Sequence, residues 1–194
     1  MKKLFNHVPL IVASVLIFYP FLADRLSDKF SFLPQLSLKL PQTSKDTTVW
    51  RVKPGSIYDG DTLRVIKGNQ ELKIRLCGID TPELKQTLGI EARDYLRSLI
   101  AKSNGTVHLI EVETDRYQRT VAELFVPLKA NPEQEIHLNS AMIEAGYAWH
   151  YERYSGNCPN QYGLAIAENI AKDNKVGVHS GNHQKPWEWR KKNK

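Results

Sequence analysis

The sequence predicts an α+β protein built on a five-stranded OB-fold β-barrel with three α-helices. Five segments have the length and residue pattern of strands, one helical segment falls between the third and the fourth, and two more helical segments follow the fifth. A helix at that position in a five-stranded barrel is the OB-fold arrangement. The 194 residues, of which 41% are hydrophobic, suffice for one such domain with additional segments at its ends.

The first three strands are predicted to follow one another closely. Val49–Ile57 and Thr62–Ile66 are separated by the turn residues Tyr58-Asp59-Gly60-Asp61. Lys67-Gly68-Asn69-Gln70 is typical of a hairpin turn and leads into Leu72–Cys77. This third strand alternates apolar and polar residues, which indicates that one of its faces is buried.

The rest of the barrel and the helices follow in order. Leu88–Ser103 carries an apolar stripe at helical spacing, and Thr106–Glu113 and Arg119–Pro127 are predicted as the last two strands. Leu138–Ala145 and Asn160–Asn174 are predicted as the remaining helices. The residues expected to face the core from the last helix are Tyr162, Ala165, Ile166 and Ile170.

Residues 1–23 are predicted to be a targeting segment, and residues 24–48 a linker to the domain at 49–180. Lys2 and Lys3 precede an apolar run, Val8–Ala23, that is shorter than the ~20 residues of a comfortable bilayer span and is typical of a signal peptide. If the leader were cleaved after Ala23, Phe21 would occupy a position where a small residue is preferred, so the cleavage site is poor. An uncleaved signal-anchor is therefore the alternative. Either alternative predicts a secreted or membrane-tethered, extracytoplasmic domain.

Residues 181–194 are predicted to form a basic tail with interleaved tryptophans. Trp187 and Trp189 precede Arg190, Lys191 and Lys192. Aromatic residues among cations suit single-stranded nucleic acid, but the interpretation we favour is that the tryptophans pack on the domain. The formal net charge of +6 is compatible with a polyanionic partner. Two cysteines are too few for a disulfide scaffold or a structural zinc site.

Three motifs carry the chemistry. They are Asp59-Gly60-Asp61-Thr62, then Arg75 with Asp80-Thr81-Pro82-Glu83, then Asp115-Arg116-Tyr117-Gln118-Arg119. We interpret Asp59 as a turn residue and Asp61 as a functional one. A strand that brings a guanidinium and carboxylates to one end predicts a site for an anion and a cation together. The alternative is that the two arginines, Arg75 and Arg119, are surface salt-bridge partners of Asp80 and Asp115.

With these motifs in this order, residues 49–180 resemble the staphylococcal nuclease (thermonuclease-like) family. The resemblance implies that the carboxylates of Asp61 and Asp80 and the backbone carbonyl of Thr81 bind one Ca²⁺. Two carboxylates and one carbonyl leave several coordination positions for water and substrate.

The resemblance also implies the catalytic roles. Arg75 and Arg119 would clamp the scissile phosphate, Glu83 would position or deprotonate the attacking water, and Tyr154 would contact a nucleotide. The implied protein is a monomeric Ca²⁺-dependent phosphodiesterase that hydrolyses DNA and RNA and leaves 3′-phosphate ends.

Two alternatives belong to other functional classes. One is a non-catalytic nucleic-acid-binding OB-fold module tethered at the membrane. Such modules usually lose the arginine and glutamate set that this chain keeps. The other is a membrane-anchored scaffold whose basic tail binds anionic lipid or wall polymer.

The chain departs from the family pattern in three respects. Leu84–Ile90 is shorter than the lysine-rich loop of the family's namesake, and His179 replaces a tryptophan, so that Trp187 or Trp189 could fill the gap. Cys77 and Cys158 are additions to the pattern. Because cysteines outside the cytoplasm often pair, we predict a disulfide between them.

Overall fold

The computed structural model describes residues 48–193. In this part of the chain the strands are β1 Thr48–Val52, β2 Thr62–Lys67, β3 Gln70–Leu76, β4 Ile79–Asp80, β5 Thr106–Thr114, β6 Thr120–Leu128, β7 Asn131–His137 and β8 Trp149–His150. The helices are α1 Gly89–Ala101, α2 Leu138–Glu144, α3 Gln161–Asp173 and α4 Pro186–Lys192. Short 3-10 turns cover Glu152–Tyr154 and Gly177–His179.

Five strands close into a barrel. The sheet order is β3-β2-β1-β5-β6, and a parallel pairing of β3 with β6 joins its ends, with Ile74 opposite Thr120 and Leu76 opposite Ala122. The helix α1 lies between the third and fourth barrel strands along the chain. The predicted OB-fold architecture is therefore confirmed. Strand β7, which extends the sheet beyond β6, was not predicted from the sequence.

The alternation of β3 sets which side chains enter the core. Ile74 and Leu76 are buried, whereas Lys73 is exposed and Arg75 lies on the same side as Lys73. The core continues into α1, whose buried residues include Ala92, Leu96, Leu99 and Ile100. The period-2 and helical patterns of these two segments are thus both confirmed.

The predicted inner face of α3 is wrong. Tyr162 and Ile166 are 79% and 61% exposed, and the residues that α3 buries are Leu164, Ala167 and Ala171. The small side chains of Ala167 and Ala171 on the buried face let α3 pack closely against α2. The packing gained in this way is more favourable than burial of the larger side chains of Tyr162 and Ile166 on the opposite face would be.

The C-terminal tail contains a fourth helix. α4 begins with Pro186 at its first turn, where the missing amide hydrogen costs nothing. Trp187 packs on the domain with its ring parallel to that of Tyr151, at a centroid distance of 4.7 Å, and meets Trp149 edge-on at 6.4 Å. Trp149 also meets His179 edge-on at 6.4 Å, so Trp187 lies in the aromatic cluster beside that histidine.

The predicted targeting segment at 1–23 and nearly all of the predicted linker lie outside the described residues. Within residues 48–193, none of the helices has both the length and the apolar content that a bilayer crossing requires.

Candidate active site

A cleft of about 840 Å³ opens where β3 runs into β4. All seven residues to which the sequence assigned a metal, catalytic or nucleotide role line this cleft: Asp61, Arg75, Asp80, Thr81, Glu83, Arg119 and Tyr154. They come from three separate stretches of the barrel and from the turn after β8. The fold therefore brings together residues that are up to 93 positions apart in the sequence (154 − 61).

The turn before β2 places Asp61. A carboxylate oxygen of Asp59 accepts hydrogen bonds from the backbone N–H groups of Asp61, at 3.0 Å, and of Thr62, at 2.6 Å. This is the turn role predicted for Asp59. Burial, followed by the nearby charge of Asp61, raises the pKa of Asp59 to about 7.

Asp61 connects the start of β2 with the end of β4. Its Oδ2 accepts hydrogen bonds from the amide and the hydroxyl of Thr81, each at 2.9 Å, and it also contacts the guanidinium of Arg75. Burial alone would raise the pKa of Asp61, but Arg75 and the hydrogen bonds from Thr81 lower it below its ordinary value. Asp61 is therefore held as a buried carboxylate at neutral pH.

Arg75 lies between two carboxylates. Its guanidinium contacts Asp61 and donates to Oδ1 of Asp80 at 2.8 Å. The Arg75 side chain is 13% exposed and Asp80 is 1% exposed. The salt bridge between Arg75 and Asp80, which the alternative interpretation predicted on the surface, does form. It lies buried at the base of the cleft.

Arg119 is held by its own loop. Its Nε donates to Oδ2 of Asp115 at 2.8 Å, while Oδ1 of Asp115 accepts the backbone N–H groups of Tyr117 and Arg119. One carboxylate thus fixes both the loop and the guanidinium. Because Arg119 lines the same cleft as Arg75, two guanidiniums oriented by carboxylates border this one cleft.

The segment from β3 to β4 is fastened to the region before α3. Cys77 forms a disulfide with Cys158, with 5.9 Å between their Cα atoms. Gly78 follows with φ +70°, and an added Cβ there would lie 2.4 Å from Cδ1 of Leu164. β4 then pairs with β8, which puts Asp80 opposite Trp149.

Arg190 of α4 is a site residue that the sequence did not predict. It reaches Oδ2 of Asp80 at 2.7 Å and Oε1 of Glu83 at 2.7 Å. Partial burial alone would lower the pKa of Arg190, but the hydrogen bonds to Asp80 and Glu83 raise it above its ordinary value. The only sequence signal was the basic character of the tail, which does not indicate where the tail docks.

Aromatic side chains border the cleft. Tyr154 is exposed and contacts Tyr151 at a centroid distance of 4.7 Å. Tyr117, also exposed, lies with its ring centroid 5.5 Å from the guanidinium of Arg119. Its position between Asp115 and Arg119 in the third motif was a signal that could have identified it. Exposed rings beside guanidiniums suit the bases of a nucleic acid strand.

The oxygen-rich donor set fits a hard divalent cation. Asp61, Asp80 and the neighbouring Thr81 supply carboxylate and carbonyl oxygens, the ligand types that Ca²⁺ prefers. Within residues 48–193, no three His, Cys, Asp or Glu side chains are grouped so that they could hold a metal ion. The oxygens of Asp80 are engaged by Arg75 and Arg190.

Comparison with known proteins identifies the family of the chain. The profile of the family described as "Staphylococcal nuclease homologue" matches residues 73–180. The chain is 36% identical over 141 residues to "Micrococcal nuclease" of Shigella flexneri, covering 71% of this chain and 79% of the relative. It is 33% identical over 135 residues to an "Uncharacterized endonuclease" of Escherichia coli O157:H7, covering 69% and 80%. It is 35% identical over 123 residues to "Staphylococcal-like nuclease CAN1" of Arabidopsis thaliana, covering 63% of this chain and 34% of the relative.

The matched region begins within β3, contains β4 to β8 and α1 to α3, and includes six of the seven predicted site residues. Asp61 precedes the match and is tied to it through Thr81. The chain belongs to the staphylococcal nuclease family and is a thermonuclease-like nuclease.

Proposed function

We propose that the chain is a Ca²⁺-dependent phosphodiesterase that cleaves DNA and RNA and leaves 3′-phosphate ends. The observation that carries the proposal is the joining of Asp61, Asp80 and Glu83 with Arg75 and Arg119 in one cleft. Phosphodiester hydrolysis requires an activated water and stabilisation of the charge that builds on the phosphoryl oxygens. This set of side chains supplies groups for both needs.

Arg75 and Arg119 act on the phosphate. Carboxylates orient both guanidiniums, Asp61 and Asp80 that of Arg75, and Asp115 that of Arg119, so each is held at the cleft as a hydrogen-bond donor for the phosphate. We assign them the stabilisation of the negative charge on the phosphate as water attacks.

Glu83 acts on the water. It follows Pro82 at the rim of the cleft and is less buried than Asp80, so that its carboxylate can meet solvent and substrate together. We assign Glu83 the positioning of the attacking water and the acceptance of its proton. A base of this kind typically contributes about 10²–10⁴ in rate.

Asp61, Asp80 and the carbonyl of Thr81 would hold the cation. When bound, Ca²⁺ supplies a positive charge that polarises the phosphate and orders water. The buried carboxylates provide the charge that attracts it, and Thr81 fixes the geometry of Asp61 through two hydrogen bonds.

The test is digestion of single-stranded DNA by the full chain, with Ca²⁺ and with a chelator, for the wild type, Glu83→Gln and Glu91→Gln. Glu91 lies in the first turn of α1, is exposed and does not line the cleft, and it serves as the control. We expect cleavage to require Ca²⁺ and to fall at least ~10²-fold in Glu83→Gln alone. Salt-sensitive DNA binding without cleavage would instead support a binding module, and equal cleavage by all three proteins would remove Glu83 from the mechanism.

We further propose that the domain works outside the cytoplasm, as a secreted or membrane-tethered protein. The signal-like residues 1–23 support this, and so does the pairing of Cys77 with Cys158, since disulfides persist mainly in oxidising compartments. Fractionation of expressing cells, with N-terminal sequencing of the product, separates a cleaved leader from a retained anchor. Recovery of the intact chain in the cytoplasm would contradict the proposal.

A further inference from the structure

Arg190 contacts the carboxylates of Asp80 and Glu83. The proposed function assigns metal binding to Asp80 and positioning of the attacking water to Glu83. Its Nη2 lies 2.7 Å from Oδ2 of Asp80, and its Nη1 lies 2.7 Å from Oε1 of Glu83 and 3.2 Å from Oδ1 of Asp80. One guanidinium thus spans both residues. The Oδ1 atom of Asp80 is shared with Arg75, so each oxygen of Asp80 faces at least one guanidinium nitrogen.

The helix that carries Arg190 is docked independently of this ion pair. Trp187 stacks on Tyr151 with an angle of 1° between the ring planes. In the segment before α4, the backbone carbonyl of Gln184 accepts a hydrogen bond from Nε2 of Gln86 at 2.9 Å. Neither contact involves Arg190, so both can hold α4 beside the cleft while the Arg190 side chain moves away from Asp80. The side chain itself is 39% exposed, which leaves it room to move.

We propose that Arg190 is a built-in counter-cation, which holds Asp80 and Glu83 until a divalent cation replaces it and thereby sets the calcium affinity of the site. This inference rests on the proposed function, because it takes Asp80 to be a calcium ligand. In it Arg190 is a positioning residue that acts through two carboxylates.

The physical basis is competition for the same oxygens. Asp80 is 1% exposed, and a buried carboxylate is costly unless a cation or hydrogen-bond donors compensate it. Arg190 supplies that compensation, together with Arg75. A divalent cation that binds Asp80 must displace Arg190 from the carboxylate oxygens of Asp80. Part of the binding free energy of the cation is therefore offset by the loss of the ion pair. Removal of the guanidinium therefore strengthens calcium binding.

The experiment is calorimetric titration of the full chain with CaCl₂, without nucleic acid, for the wild type, Arg190→Gln, Arg190→Lys and Lys191→Gln. Lys191→Gln is the matched control, because Lys191 is the exposed neighbour of Arg190 on α4 and its replacement changes the net charge equally. We expect Arg190→Gln to bind calcium about tenfold more tightly, Arg190→Lys to lie between it and the wild type, and Lys191→Gln to stay close to the wild type.

Thermal unfolding provides a second readout. In chelator, Arg190→Gln should melt at a lower temperature than the wild type, since Asp80 loses a partner. In excess calcium the difference should shrink, because a cation then compensates the carboxylates and tighter binding adds more stability.

The outcomes separate the two proposals. Equal or weaker calcium binding by Arg190→Gln, in a wild type that does bind calcium, overturns the inference and leaves the proposed function standing. If neither the wild type nor Arg190→Gln binds calcium, both proposals fail: the calcium dependence in the proposed function and the competition between Arg190 and calcium.

Discussion

At the scale of single residues, the site is built from charged pairs in which one member orients the other. Asp115 fixes Arg119 through its side chain and through the backbone of its loop, and Asp59 fixes the turn that presents Asp61. The side chains to which we assign contacts with the substrate are therefore held in place by hydrogen bonds within the protein. Such preorganisation is what makes a fixed donor effective in stabilising developing charge.

Arg119→Lys tests this orientation. Lysine keeps the charge but loses the planar pair of donors that Asp115 aligns. We expect the rate of nucleic acid cleavage to fall by ~10²–10³. Arg93→Lys, on α1 and outside the cleft, is the control and should change the rate little. An unchanged rate in Arg119→Lys would mean that charge alone suffices at this position.

The residue scale also shows what sequence can and cannot locate. Asp61, Asp80 and Glu83 lie in short motifs at strand ends, where local patterns identify them. Arg190 is 110 residues from Asp80, and no local periodicity relates the two. A contact of that kind depends on how the last helix docks, which is set by Trp187 and its aromatic neighbours.

At the scale of elements, the turn between β3 and β4 decides where Asp80 lies. Gly78 takes a left-handed conformation with its Cα facing Leu164 of α3. The chain can therefore leave the barrel strand, pass close to the helix and enter β4 within two residues. A glycine at this point is required both by the backbone and by the space available.

Gly78→Ala should destabilise the fold more than Gly68→Ala. Both glycines have positive φ, +70° and +58°, but an added Cβ has no atom within 4 Å at Gly68. We expect a loss of about 1–2 kcal/mol in the free energy of unfolding for Gly68→Ala, from the backbone alone. For Gly78→Ala we expect about 2–5 kcal/mol, because overpacking against Leu164 is added. Urea unfolding measures both, and equal losses would mean that Leu164 moves aside freely.

The elements were predicted unevenly, and the reason is physical. β3 and α1 each have one polar and one apolar face, so their patterns are unambiguous. α3 is apolar on two faces, and the larger residues, Tyr162 and Ile166, suggested the wrong one. Helix packing favoured the face with Ala167 and Ala171, because close approach depends on small side chains and not on hydrophobicity alone.

At the scale of the whole molecule, the disulfide ties the barrel to the helical part. Cys77 follows β3 and Cys158 precedes α3, with a sequence separation of 81. The link closes next to Gly78, so it secures the turn that leads from β3 into β4, the strand that carries Asp80. Its effect should be on global stability, because it restricts the unfolded chain over more than a third of the sequence.

Replacement of both cysteines by alanine should lower the free energy of unfolding by about 4–5 kcal/mol, the chain-entropy value for a loop of this length. Urea unfolding of the oxidised wild type, the reduced wild type and the double variant measures it. The reduced wild type should resemble the double variant. If reduction leaves the unfolding curve unchanged, the disulfide does not stabilise the fold in this way.

The strand β7 lies at the end of the sheet and has the features of a protected edge. Within seven residues it carries Pro132, which lacks an amide hydrogen, and the acidic residues Glu133 and Glu135. A second chain that tried to add itself as a further strand would lose a ladder hydrogen bond and would have to accommodate these charges. Barrel closure on one side and this blunted strand on the other should therefore keep concentrated solutions of the enzyme free of edge-to-edge aggregation.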